Sequence, residues 1–206
     1  MLTWEGFRSA QTNVTYKDIV AGALHVLLLV VVVFAFLRVR KINVTELFGF
    51  RSQSLFKATG FAAGLIIAAF PLMLCVGALA QQLMGARAEE QELVQFFTRA
   101  ASRHDFMRVI LTMMFGVLLA PAAEEFIFRG YIYGTLKKYT GLVPALVFTS
   151  LLFAAIHVNL SSLPGLFVLA VCLTVAYETT GSLLVAMAMH ALFNLSEFCM
   201  MLATAQ

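Results

Sequence analysis

The stretch Ala122-Ala123-Glu124-Glu125-Phe126-Ile127-Phe128-Arg129 places three ionisable side chains within an otherwise apolar part of the chain. It directly follows the apolar run 109–120 and leads into Gly130-Tyr131-Ile132-Tyr133. If this stretch lies within a membrane, each charged side chain costs about 3 kcal/mol on insertion scales. Such charges are usually paired and usually functional. The stretch therefore predicts an intramembrane site whose other members lie elsewhere in the sequence.

The composition supports a membrane location. Of the 206 residues, 61% are hydrophobic and 12% are charged, whereas a soluble domain is about 25% charged. The net charge of +3 comes from basic residues in short loops, which is typical of membrane topology and argues against binding of nucleic acid. The length predicts a single membrane domain over residues 1–206.

Hydropathy predicts an all-α bundle of about six transmembrane helices. The apolar runs are long enough for helices that approach or span the hydrocarbon core, which takes about 20 residues. Loop 38–57 carries five basic residues and one acidic residue, which predicts that it is cytoplasmic. Gly60 and Gly64 form a small-xxx-small pair that predicts close approach of another helix. The predicted spans are 19–37, 58–80, 106–135, 142–157, 163–178 and 183–203, and the last four form the core that carries the polar motifs, about 106–203.

Three different helices bring polar side chains to similar depths. With a rise of about 1.5 Å per residue, Glu124 and His157 lie roughly 20 Å from the predicted cytoplasmic ends of their helices. His190 and Asn194 lie roughly 12 and 18 Å from the cytoplasmic end of the last helix. This agreement predicts a single site.

The spacing within each helix predicts which side chains pair. Glu125 and Arg129 are separated by four residues, so they share a helix face and can form an ion pair. Glu124 is rotated by about 100° from Glu125 and needs another partner. We expect that partner to be His157, with Phe153 packing one turn before it.

These residue types are suited to hydrolysis by an activated water. A carboxylate and a histidine, Glu124 and His157, can hold a water and accept its proton. A second histidine and an asparagine, His190 and Asn194, can donate hydrogen bonds to a developing oxyanion. Together they predict cleavage of a peptide bond, with Glu125, Arg129 and Phe153 in support.

Other interpretations use the same residues. Glu124, His157 and His190 could bind zinc with an open fourth position, although no HExxH motif is present. Polar side chains also join helices within membranes without catalysis. A proton or ion pathway would need the same residue types, usually with broken helices or an inverted repeat.

The motifs resemble those of the CPBP family of intramembrane endopeptidases, also called the CAAX prenyl protease 2 or Abi family. The stretch 124–130 resembles the family's EExxxR motif, 153–157 its FxxxH motif and 190–194 its HxxxN motif. The resemblance covers about residues 110–196, with the three motifs in the family's order and spacing.

The resemblance implies helices packed around a conical, partly open intramembrane cavity. It implies Glu124 and His157 as the residues that activate water, and His190 and Asn194 as the residues that stabilise the oxyanion. It favours a glutamate-type mechanism without a cofactor, with zinc as the alternative, and a prokaryotic inner-membrane enzyme. The implied partners are lipid and a membrane-embedded or membrane-associated peptide, while the oligomeric state stays open. Some members are bacteriocin-immunity proteins or scaffolds, so a non-catalytic membrane protein is the alternative function.

Overall fold

The computed structural model describes residues 16–50, 54–84, 92–160 and 162–204, and within these ranges every regular element is a helix. The prediction of an all-α membrane protein is therefore confirmed; residues 1–15, part of the predicted domain, lie outside the described ranges. The helices are α1 (Tyr16–Val39), α2 (Val44–Leu47), α3 (Leu55–Met84), α4 (Glu92–Ser102), α5 (Phe106–Thr140), α6 (Leu142–Ile156), α7 (Leu163–Thr180) and α8 (Leu183–Thr204).

Five of these helices, α1, α3, α5, α7 and α8, are long and apolar enough to cross a membrane. The chain is therefore an integral, multi-pass membrane protein. All six predicted spans are helical, but α6 has only 15 residues. Its length of about 22 Å is less than the roughly 30 Å of the hydrocarbon core. His157 follows the end of this short helix, so it lies where the polypeptide turns back within the bundle.

The main apolar core joins α3, α7 and α8. Ala58 and Ala62 of α3 are fully buried and pack with Leu169 and Leu173 of α7. Val185 and Met189 of α8 complete this cluster. Because the alanines are small, the three helices approach closely. This core fixes the position of α8, which carries two of the predicted site residues.

The Gly60–Gly64 prediction is wrong for the described part of the chain. A Cβ atom added at Gly60 or Gly64 would meet no heavy atom within 4 Å. The two glycines line an open groove beside Lys57. The physical reason is helix rotation, since Ala58 and Ala62 face the core and residues two positions further on point about 200° away.

Helix α5 changes its winding on both sides of the acidic pair. Segments Met114–Leu119 and Phe126–Tyr133 are π-helical, and Ala120–Glu125 between them is α-helical. Pro121 has no N–H and cannot complete an α-helical hydrogen bond to the preceding turn. A π-helical turn takes an additional residue per hydrogen bond, which changes the direction of every side chain that follows it. The sequence positions in α5 therefore do not follow a uniform 100° rotation.

The short helix α2 and the residues after it connect α5 to α8. The Phe48 carbonyl accepts a hydrogen bond of 2.9 Å from the Leu183 N–H. The fully buried Phe48 ring lies edge-on to Phe126, with 5.2 Å between centroids. A Cβ atom added at Gly130 would lie 3.0 Å from the Phe48 ring. Glycine at 130 therefore allows Phe48 to sit this close to the helix that carries the acidic pair, and a larger residue would require the ring to shift.

Candidate active site

The two adjacent carboxylates of α5 have different environments. The Glu125 side chain is 0% exposed, whereas the Glu124 side chain is 25% exposed. Glu125 Oε1 accepts a hydrogen bond of 2.8 Å from Arg129 Nη1, which confirms the predicted ion pair. Glu124 is thus the accessible member of the pair, and Glu125 is the internal one.

Arg129 has partners for its charge and for its N–H groups. Its Nη2 donates to the Ala170 carbonyl at 2.9 Å, and its Nε donates to Thr174 Oγ1 at 3.4 Å. The guanidinium also lies 4.8 Å from the centroid of the Phe153 ring. Arg129 therefore joins α5 to α7, as well as neutralising Glu125. This arrangement explains how a side chain only 2% exposed remains charged within an apolar bundle.

Glu125 also contacts α8, and sequence reasoning missed this contact. Its Oε1 lies 2.9 Å from Nδ1 of His190. A carboxylate that is bound to a guanidinium is a hydrogen-bond acceptor, so the imidazole donates its Nδ1–H. Glu125 was predicted mainly as a structural partner of Arg129. In the structure it also orients His190 and directs the ring's other nitrogen, Nε2, away from itself.

The expected pairing of Glu124 with His157 is wrong as a direct contact. Glu124 forms an ion pair with His190, whose Nε2 lies 3.9 Å from Glu124 Oε2. His157 is close enough to interact electrostatically with Glu124, but no hydrogen bond or ion pair joins these two described residues. The reason is packing, because α8 lies directly against the Ala120–Glu125 segment, whereas His157 lies beyond the end of α6.

His157 is oriented by its own helix. Its Nδ1 lies 2.8 Å from the Phe153 carbonyl oxygen. A carbonyl can only accept, so Nδ1 carries the hydrogen and Nε2 of the neutral ring is an acceptor. The Phe153 ring is fully buried, 4.9 Å from the His157 ring and 5.8 Å from the His190 ring. Phe153 therefore packs against both imidazoles and restricts their positions.

Asn194 lies one turn beyond His190 on α8, as predicted. Its Nδ2 donates a hydrogen bond of 2.7 Å to the Gly116 carbonyl, in the first π-helical segment of α5. An amide nitrogen has two hydrogens, so one remains for another acceptor. The structure therefore gives Asn194 a helix-joining contact that the sequence did not indicate.

Residues 106–196 match the family model of the type II CAAX prenyl endopeptidases, described as Rce1-like. The match covers less than half of the chain, and we call residues 106–196 the Rce1-like domain after it. A relative from Escherichia coli, an uncharacterized 24.3 kDa protein, is 35% identical over 101 residues. That alignment covers 46% of this chain and 46% of the relative, so it spans less than half of the relative's length. No solved structure matches the chain.

The Rce1-like domain contains all the predicted site residues, from Glu124 to Asn194. Over these residues the chain is similar to a family of CAAX prenyl endopeptidases. Residues 1–105 lie outside the match, but the Phe48 segment contacts the domain at Phe126, Gly130 and Leu183. The region before the domain therefore contributes to its packing.

The ring orientations within the Rce1-like domain bear on a possible zinc site. Zinc-binding histidines usually donate their second N–H to a carboxylate or a carbonyl, as His190 and His157 do here. However, no three His, Cys, Asp or Glu side chains in the described ranges are close enough together to hold a metal ion. As placed, Glu124, His157 and His190 do not fit a zinc site.

Proposed function

We propose that the chain is an intramembrane endopeptidase of the glutamate type, in which Glu124 and His157 activate a water that attacks a peptide carbonyl. The observation that supports this most is the difference between the two carboxylates. Glu125 is fully enclosed by Arg129 and His190, whereas Glu124 is partly exposed and has no hydrogen-bond donor among the described residues. Glu124 is therefore the carboxylate that is free to accept a proton.

The reaction needs two acceptors for the water. Glu124 accepts one hydrogen of the water, and Nε2 of His157 accepts the other, because Nδ1 of His157 already donates to Phe153. The water oxygen forms a bond to the carbonyl carbon, and its proton moves to Glu124. Glu124 then gives that proton to the amide nitrogen as the C–N bond breaks. One water is consumed, and the products are a carboxylic acid and an amine; the remaining proton passes from the acid to the amine, which leaves as an ammonium.

His190 and Asn194 are proposed to stabilise the oxyanion. Glu124 and Glu125 carry two negative charges against the single positive charge of Arg129, so a protonated His190 makes the cluster neutral. The imidazolium then donates Nδ1–H to Glu125 and Nε2–H to the oxyanion. The second amide hydrogen of Asn194 supplies a further donor.

The proposed substrate is a peptide segment that enters the bilayer, and the proposed location is a prokaryotic inner membrane. An active centre on membrane-spanning helices can be reached by a segment that is itself apolar enough to leave water. The residues that hold the water do not require a prenyl group on that segment.

The test is substrate trapping with purified protein that carries Glu124→Gln. Glutamine keeps the size of the side chain but cannot accept a proton, so bound substrate should be retained uncleaved and can be identified by mass spectrometry. The matched control is Glu46→Gln, which changes an exposed glutamate on α2. His157→Ala should also abolish cleavage while the protein remains folded by circular dichroism.

Two further outcomes separate the alternatives. If Glu124→Gln and His157→Ala leave partner binding or cell survival unaffected and no cleavage is found, the protein is a non-catalytic scaffold or immunity protein. If a chelator abolishes cleavage and metal analysis finds stoichiometric zinc, the metal-free part of the proposal is wrong.

A further inference from the structure

The first three turns of α3 carry an open groove on the side of the helix that faces away from the bundle core. Ala58 and Ala62 of the same turns are fully buried in the core, and the groove lies on another face of the helix. Its volume is about 460 Å³. We call it the α3 groove, and its lining residues are Phe56, Lys57, Gly60, Phe61, Gly64 and Leu65.

Two glycines give the α3 groove its shape. A Cβ atom added at Gly60 or Gly64 would meet no heavy atom within 4 Å, so no described part of the chain fills the space beside the backbone there. The exposed rings of Phe56 and Phe61 line the same groove. The surface is therefore a recess of bare helix backbone next to two aromatic rings, which suits a narrow hydrocarbon chain.

The α3 groove runs from the membrane–water boundary into the hydrocarbon region. It begins at the second residue of the membrane-spanning segment Leu55–Ala80. Residues 56–65 rise about 14 Å along the helix, which is about half of the roughly 30 Å hydrocarbon core. An occupant of the groove is therefore polar at one end and apolar along the rest of its length, as a lipid is.

The charge at the outer end of the α3 groove is positive. Lys57 lines the groove in the first turn of α3, and a lysine in this position extends its ammonium group to the membrane surface. The described residues at this membrane face carry more basic than acidic side chains, which attracts anionic lipid headgroups. These side chains are Arg38, Arg40, Lys41, Lys57, Lys137 and Lys138 against Glu46 and Glu178.

We propose that the α3 groove binds one anionic phospholipid, with its phosphate at Lys57 and an acyl chain along Gly60 and Gly64. Lysine binds phosphate as a point charge, and the recess at the glycines holds the chain against the helix. Binding of a lipid here does not require the proposed hydrolysis.

A second copy of the chain fits the α3 groove less well than a lipid. Two copies in one membrane have the same orientation, so a symmetric pair packed through α3 would bring both Lys57 side chains to the same depth at one interface. Like charges that face each other oppose association. An anionic headgroup instead complements the charge of Lys57.

The experiment measures lipid binding to the purified full chain in detergent micelles by native mass spectrometry. The probes are phosphatidylglycerol, which is anionic, and phosphatidylcholine, which is zwitterionic, with identical acyl chains. The wild type should bind phosphatidylglycerol at least about fivefold more tightly, the effect of one basic residue beside an anionic lipid. Lys57→Gln should remove this preference. Lys138→Gln, which changes an exposed lysine at the same membrane face outside the groove, should keep it.

A second pair of variants tests the place of the acyl chain. Gly60→Leu fills the recess and should weaken the binding of both lipids. Gly77→Leu is the matched control, because Gly77 also has open space beside its backbone but lies outside the groove. Leucine has a higher helix propensity than glycine, so both variants should stay folded by circular dichroism. Phosphatidylglycerol with a photoreactive acyl chain should crosslink to residues 56–65 of the wild type.

Several results would overturn the assignment of a lipid to the α3 groove. These are equal affinities of the wild type for the two lipids, an anionic preference that Lys57→Gln retains, and lipid binding that Gly60→Leu leaves unchanged. Crosslinks confined to other helices would also contradict it. A dimer that Gly60→Leu abolishes and Gly77→Leu keeps would assign the groove to a second copy of the chain. Because no cleavage is measured, failure of the proposed hydrolysis leaves these results unaffected.

Discussion

Replacement of Arg129 by methionine tests the buried network at the candidate site. Arg129→Met keeps most of the side chain's volume and removes the positive charge that lies 2.8 Å from Glu125. It also removes the hydrogen bonds to the Ala170 carbonyl and to Thr174. Removal of one partner of a buried ion pair typically costs about 3–5 kcal/mol, because the other charge remains without compensation. We expect a loss in unfolding free energy of about 4 kcal/mol.

The matching double variant separates the effect of the uncompensated Glu125 charge from the effect of the lost Arg129 hydrogen bonds. In Glu125→Gln/Arg129→Met no uncompensated carboxylate remains, so the double variant should be more stable than Arg129→Met alone by about 2 kcal/mol. Lys137→Met is the control, because the Lys137–Glu178 ion pair has side chains 40% and 22% exposed. It should cost no more than about 1 kcal/mol.

The assay is equilibrium unfolding in mixed micelles, followed by circular dichroism. If the unfolding free energy of Arg129→Met lies within about 1 kcal/mol of the wild-type value, the stabilising role of the buried network is refuted, because that difference is in the range of a surface ion pair. It is also refuted if the effects of the two single substitutions simply add in the double variant, since residues in one buried network are expected to be coupled.

Three further substitutions test separate contacts. Gly49 has φ +63°, and an added Cβ would overlap the Gly181 carbonyl. Gly49→Ala should therefore lower the melting temperature in detergent. An unchanged melting temperature would contradict the α2 packing. Asn194→Asp cannot donate a hydrogen bond to the Gly116 carbonyl, so it should lower the unfolding free energy by about 1–3 kcal/mol, the cost of an unsatisfied buried group. An unfolding free energy equal to the wild-type value would exclude this contact. Phe153→Ala should cost about 3–5 kcal/mol by the same measurement, and a loss below about 1 kcal/mol would show that the ring is not packed as described.

Local features of the fold were predictable because they depend on neighbouring residues. The apolar runs predict the helices, since the hydrocarbon core requires about 20 residues to cross. The Glu125–Arg129 ion pair is predictable because four residues bring two side chains to one face. That the Glu124 side chain points in a different direction from Glu125 is predictable for the same reason. The π-helical turns of α5 are not predictable in this way.

Contacts between helices were less predictable because they depend on rotation and offset. Glu125 meets His190 across 65 residues and Asn194 meets Gly116 across 78, and no local pattern indicates either contact. Their similar depth along the helices predicted that these residues lie together. Depth alone cannot determine that Glu124 lies nearer to His190 than to His157. That distinction follows from the packing of α8 on α5.

The most direct test of the account compares cleavage of one membrane peptide, identified by substrate trapping, in proteoliposomes. The proteins are the wild type, Glu124→Gln and Glu46→Gln, each shown to be folded by circular dichroism. The wild type and Glu46→Gln should cleave at equal rates, and the rate of Glu124→Gln should fall by at least about 10²-fold, the lower range for loss of a general base. Cleavage by Glu124→Gln at the wild-type rate would contradict the role of Glu124 as the general base.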